Sequence, residues 1–179
     1  MDAFEKVIGQ ILDYQDYWTR ISFKVELTKE EKVEMGRPTT PRWELDVVGY
    51  KASMNEVLVV ECKSYLNSPG VHVRDFDPSS KLASRYKLFV EPKTREVVFR
   101  RLALQLTEKG LCAPKPVVRL ALAAGKIAGS EAELGQLFEN EGFELFTPDW
   151  IREGLSDISA ASYDNEVASV VAKLLLRRK

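Results

Sequence analysis

Asp46 lies within the stretch RWELDVVGY (42–50), and Glu61 and Lys63 lie toward the end of VLVVECKSY (57–65). Both stretches are rich in apolar, β-favouring residues, and an unpartnered charge is costly to bury in such a segment. Side chains on a strand alternate faces. Alternation puts Val57, Val59, Glu61 and Lys63 on one face, and Leu58, Val60 and Cys62 on an apolar reverse face. On the earlier strand it puts Glu44, Asp46, Val48 and Tyr50 together, opposite Trp43, Leu45 and Val47. The six residues KASMNE between the strands suit a hairpin turn. A symmetric turn sets Asp46 directly across from Glu61, with β-carbons about 4.5–5.5 Å apart. A slip of one residue would put the two acids on opposite faces.

Two facing carboxylates repel, and one must take up a proton at higher pH unless something neutralises them. Magnesium is a suitable neutraliser, because it takes oxygen ligands and is held by one or two carboxylates, water and phosphate oxygens. Lys63, two residues past Glu61 on the same face, could orient a metal-bound water or meet charge developing on a phosphate. Such a metal polarises a phosphoryl oxygen and acidifies water. The chemistry these residue types suit is phosphodiester hydrolysis.

Other elements must position these strands. Phe4, Val7, Ile8, Ile11, Leu12, Gln15 and Trp18 recur at helical spacing, which predicts an amphipathic helix over about 2–18. RISFKVEL alternates as a half-buried strand, and TKEEKVEMGRPTTP reads as a polar loop or exposed hairpin end. An irregular loop, LNSPGVHVRDFDPSS, precedes a helix over about 94–109 that Gly110 stops. PVVRLALAA is a fourth strand. SEAELGQLFENEG is a helix with Ser130 at its start and Gly142 at its end. FELFT is a short strand, Pro148 opens a helical turn, and the last 18 residues form a closing helix. Interleaved helices and strands without a linker or repeat predict one α/β domain with a mixed sheet over 1–179.

Composition fits that reading. The chain has 179 residues, 45% hydrophobic and 30% charged, enough for one sizeable core. Two cysteines give no disulfide framework, and the acid-containing N-terminus lacks a secretory pattern, so a cytoplasmic location is expected. No apolar run approaches a membrane span, and no membrane partner is expected. The net charge of -1 hides a central segment, 81–119, with 10 basic and 3 acidic side chains, or +7. Such a segment could meet a polyanion, and Lys87, Lys93, Arg95, Arg100 and Arg101 are its candidate phosphate contacts. A solvated helix face explains the same charges.

Asp46, then Glu61-Cys62-Lys63 on the next strand, after an N-terminal helix, resembles the PD-(D/E)XK (restriction-endonuclease-like) nuclease superfamily. The likeness covers about residues 1–124, leaving 125–179 as a C-terminal α/β extension, and Leu45 stands where the family usually has proline. The resemblance implies a metal-dependent nuclease, most simply for DNA. Asp46 and Glu61 would bind Mg2+, or Mn2+ in its place, with the Cys62 backbone carbonyl as a further ligand and Lys63 assisting the attacking water. It also implies a 3′-hydroxyl and a 5′-phosphate product, and accessory roles for Glu5 on the first helix and Gln105 on the later one. Glu5 has an equally simple reading as a helix-start acid, and Gln105 as a polar residue at a core edge.

Other chemistries lack their parts. The single histidine, His72, excludes a two-histidine zinc site and leaves no convincing Ser-His-Asp or Cys-His arrangement. Cys62 and Cys112 lack metal-ligand spacing, and AAGKIAGS does not match a phosphate-binding loop. Two rival functions stay open: a nucleic-acid-binding or assembly module that keeps the fold without catalysis, and an α/β domain whose acids hold no metal. The near-neutral total charge points to a homodimer or partner subunit for further nucleic-acid contact.

Overall fold

The computed structural model describes residues 2–162 and 164–176. Helix α1 (Ala3–Tyr14) leads into β1 (Trp18–Val25), helix α2 (Lys29–Glu34), β2 (Trp43–Lys51) and β3 (Glu56–Lys63). A long loop follows, then α3 (Lys87–Val90), α4 (Pro92–Glu108), β4 (Val117–Ala124), α5 (Glu131–Glu141), β5 (Glu144–Phe146), α6 (Pro148–Ala160) and α7 (Val167–Leu176). The five strands make one mixed sheet in the order β1-β2-β3-β4-β5. The first three form an antiparallel meander, and β4 and β5 extend it in parallel. The chain is thus a single α/β domain, and 125–179 is built into it through β5.

Helices cover both faces. On one, α4 and α5 bury Val97, Val98, Leu102, Leu134 and Phe138 against Val57, Val59, Leu120 and Leu122 of the sheet. On the other, Ile8, Ile11 and Leu12 of α1 and Ile151 and Ile158 of α6 pack on Val47, Leu58, Val60 and Ala121. β3 and β4, covered on both sides, are apolar nearly throughout, as inner strands of such a sheet must be.

Several boundaries differ from the sequence reading. α1 ends at Tyr14, and Trp18 opens β1 with 83% of its surface exposed. Asp16, at φ 66, breaks the helix before Trp18 can extend its apolar stripe. The segment expected to be a loop contains α2, capped by Thr28 and Glu31, whose side chains each bond the other's backbone N–H. The turn between β2 and β3 is a tight helical turn, Ala52–Met54, closed by left-handed Asn55. α6 runs on to Ala160, because Ile151, Leu155 and Ile158 continue an apolar stripe onto α1. Of the expected closing helix, 167–176 is helical, while Arg177, Arg178 and Lys179 lie outside the described residues.

α6 meets α1 at a glycine. A β-carbon on Gly154 would lie 2.5 Å from Ile11 Cγ2, and Ile11 is fully buried. Gly154→Val is expected to lower stability by about 1–3 kcal/mol, the usual cost of overpacking a filled core. Urea unfolding followed by circular dichroism checks this, and an unchanged midpoint would contradict the close packing.

Candidate active site at the end of β3

The β2–β3 ladder runs from Lys51↔Glu56 to Val47↔Val60. Continued by one residue, that register sets Asp46 across from Glu61. The strands part there instead, and one carboxylate spans the opening: Cys62 N–H donates to Asp46 Oδ2 at 2.7 Å. On the other side of β2 the ladder skips the pair that would join Ser22 to Asp46, and Ser22 has a left-handed φ of 52.

This distortion corrects the expected alternation. Leu45 and Val48, three residues apart, pack in one layer, with Trp43 and Tyr50 beside them, while Val47 packs in the other. Glu44, Asp46, Val48 and Tyr50 therefore do not share one continuous face. The break falls at Asp46. On β3 the reading holds: Val57 and Val59 face one layer, and Leu58, Val60 and Cys62 the other.

Lys63 Nζ donates to Glu61 Oε1 at 2.5 Å, and the two side chains keep 16% and 21% of their surface exposed. The group therefore has a mouth to solvent. Burial pushes the Glu61 carboxyl up; Lys63 pulls it down and Asp46 pushes it up again, for a net rise. Burial likewise raises the Asp46 carboxyl, against the hydrogen bond from Cys62 and the charge of Lys63. Burial works to lower Lys63, but Glu61, by charge and hydrogen bond, and then Asp46 outweigh it and leave it raised. Lys63 therefore stays an ammonium at neutral pH.

Glu5 lies near this group. Burial raises its carboxyl and the charge of Asp46 adds to the rise, while its charge in turn raises Glu61. It also closes the capping box of α1, accepting from Asp2 N–H at 3.4 Å, and it accepts from Ser22 Oγ at 3.3 Å. The helix-start reading of Glu5 is thereby met. Gln105 is placed differently. It is buried, with Oε1 accepting from Glu26 N–H at 2.9 Å and Nε2 donating to Lys24 O at 3.0 Å. Both ends of the side chain clamp the end of β1.

The basic candidates of α3 and α4 are also engaged within the chain. Lys93 and Arg100 pair with Glu34 at 2.7 and 2.6 Å, and Arg101 bonds Glu31 through Nε at 2.8 Å. Arg95 donates to the carbonyls of Leu88 and Phe89 and lies 4.9 Å from the Phe143 ring centre. Lys87 sits 6.0 Å from the Trp43 ring centre. A polyanion would have to compete with the acids of α2 for three of these five side chains.

Three aromatic and hydroxyl neighbours of the triad went unnoticed in the sequence. Lys63 Nζ lies 5.7 Å from the ring centre of Tyr86. Tyr65 follows Lys63 by two residues, and Ser22 stands beside Glu5. Tyr65 could have been found from its place two residues after Lys63. Nothing in the local sequence ties Tyr86, far along the loop, to the site.

The donor set fits a hard divalent cation sparingly. Among the described residues no three His, Cys, Asp or Glu side chains converge as a metal-ligand group. Magnesium needs only one or two carboxylates if water fills the remaining positions. Asp46, Glu61 and Lys63 sum to -1, and Glu5 brings the neighbourhood to -2. At the opposite end of β3, buried Glu56 accepts from Tyr17 Oη at 2.7 Å and lies 3.7 Å from Arg119, which pairs with Glu144 at 3.1 Å. Cys62 is no rival nucleophile, because burial pushes its thiol far up. A cavity of about 1010 Å3 lies elsewhere, between α1, β1, α6 and α7, and none of the triad lines it. Compared with known protein families, curated proteins and solved structures, the chain matches none.

Asp46→Asn keeps an oxygen for the Cys62 N–H and removes a charge. Because the folded carboxyl is raised, its contribution to stability is full below the ordinary carboxylate range and is lost as pH rises through the raised value. In EDTA at neutral pH, Asp46→Asn is expected to melt about 2–4 °C higher than the parent, roughly 1 kcal/mol. The gap should close below about pH 4. Thermal melts at both pH values check it.

Proposed function

We propose that this chain is a metal-dependent nuclease that hydrolyses phosphodiester bonds, most simply in DNA. The observation that carries the proposal is the uncompensated charge at the end of β3: two half-buried carboxylates from adjacent strands share one ammonium. Likeness to the PD-(D/E)XK superfamily in the spacing of Asp46, Glu61 and Lys63 supports it, as does the mixed sheet with helices on both faces.

Asp46 and Glu61 would hold Mg2+ or Mn2+, with the Cys62 carbonyl as a further ligand. When bound, the ion supplies positive charge that polarises a phosphoryl oxygen and acidifies a water. Glu61 fixes the Lys63 ammonium by a direct hydrogen bond. Because Lys63 remains protonated, its role is to orient the attacking water by donating to it, or to stabilise charge on the phosphate, rather than to accept a proton. Cys62 N–H holds the Asp46 carboxylate in place across the strand opening. By the family likeness, the products carry a 3′-hydroxyl and a 5′-phosphate.

The purified chain, given labelled plasmid or single-stranded DNA, is expected to cleave with Mg2+ or Mn2+ and not in EDTA. Glu61→Ala and Lys63→Ala should each reduce the rate by about 10²-fold or more, the scale of losing one charged transition-state contact. The rate should fall as pH drops through the raised carboxylate range, since protonated acids hold no cation. Binding without cleavage in every metal would point instead to a non-catalytic nucleic-acid module. Cleavage unchanged in both variants would remove the site from the chemistry.

A further inference from the structure

The loop that leaves β3 is pinned beside the triad. Gly125 N–H donates to Lys63 O at 2.9 Å, Lys126 Nζ donates to Ser68 O at 2.8 Å, and Val71 bridges Ile127. The approach is so close that a β-carbon on Gly125 would lie 2.3 Å from Ser64 O, which only glycine permits. Between these fixed points Tyr65 takes a left-handed backbone, φ 42, a strained choice for an aromatic residue. Such strain persists where surrounding contacts dictate a side chain's position.

That position sets the Tyr65 phenol against a cation. Arg85 Nη1 lies 3.5 Å from Tyr65 Oη, a long contact that leaves the other guanidinium N–H groups free for a ligand. Arg85 is exposed, and among the described residues no carboxylate lies within ion-pair distance of it. The contrast with Lys93, Arg100 and Arg101, each held by an acid of α2, is direct. Tyr86 completes the group from below. Its ring lies under Lys63, and its buried hydroxyl has no hydrogen-bond partner among the described residues.

We infer that Tyr65 and Arg85 form a phosphate clamp that holds one backbone phosphate of the nucleic-acid strand next to Lys63. A guanidinium matches a phosphate with paired N–H donors, and a phenol adds one more. The identity of the ligand as nucleic acid rests on the nuclease reading. The clamp places the substrate strand along the 64–86 loop and away from the α4 cations that the sequence alone favoured.

The test measures binding rather than cleavage. A labelled DNA oligonucleotide is titrated in EDTA by fluorescence anisotropy over a range of salt. Arg85→Ala is expected to raise Kd about tenfold and to reduce the log–log salt slope by roughly one. Tyr65→Phe should weaken binding several-fold with the slope unchanged, and Arg85→Lys should restore the slope but only part of the affinity. Arg100→Ala should bind as the parent does. Circular dichroism melts confirm that the variants are folded. Parental affinity and slope in Arg85→Ala overturns the clamp, as does a parent chain that binds no oligonucleotide. Arg85-dependent binding with no cleavage in any metal keeps the clamp and removes the nuclease. Cleavage with Arg85-independent binding does the reverse.

Discussion

Where β2 and β3 part, two carboxylates and one ammonium share a half-buried space, and their charges do not cancel. The geometry imposes this: Asp46 spans the opening to the Cys62 N–H, and Glu61 is fixed by Lys63. Burial disfavours both carboxylates in their charged form, and the charge of Asp46 adds to the cost at Glu61. A fold gains nothing in stability from such an arrangement alone. At the other end of the same strand, Glu56 accepts from Tyr17 and shares Arg119 with Glu144, so two acids meet one cation there as well.

The rest of the fold serves to hold that opening. α1 packs its apolar stripe on β2 and β3 and sets Glu5 near the pair. Gln105 locks the end of β1 from α4, and Arg101 bonds Glu31 to tie α2 onto the same helix. Beyond β3, contacts from Gly125, Lys126 and Ile127 fix the loop that carries Tyr65. β5 adds an edge strand beside β4, and α6 packs with α1 on one face of the sheet, which makes the C-terminal third part of one domain rather than an appendage.

Much of this was legible because it follows from local rules. The alternation of β3 and the register of the hairpin as far as Val47 and Val60 came from counting residues across a short turn, whereas the expected pairing of Asp46 with Glu61 is lost where the strands part. The turn itself is four residues, Ala52 to Asn55, once Lys51 and Glu56 join the strands. What escaped depended on long-range contacts. The break in alternation at Asp46 arises where the strands part, and no pattern within β2 announces it. α2 was masked by its polar composition, although Thr28 and Glu31 carry a capping-box spacing that could have been read. The α4 basic residues looked free because their partners, Glu31 and Glu34, lie about seventy residues earlier. Tyr86 reaches Lys63 only through the path of an irregular loop.

The central claim is that Asp46 and Glu61 together hold a divalent cation, and metal binding itself tests it most directly. Mn2+ titrated into the nucleic-acid-free protein, followed by calorimetry and by the electron-spin signal of the free ion, is predicted to show saturable binding. That binding should release protons at mildly acidic pH, because raised carboxyls must give theirs up. It should be lost in both Asp46→Asn and Glu61→Gln. Absent saturable binding, or binding that survives both substitutions, would contradict the account.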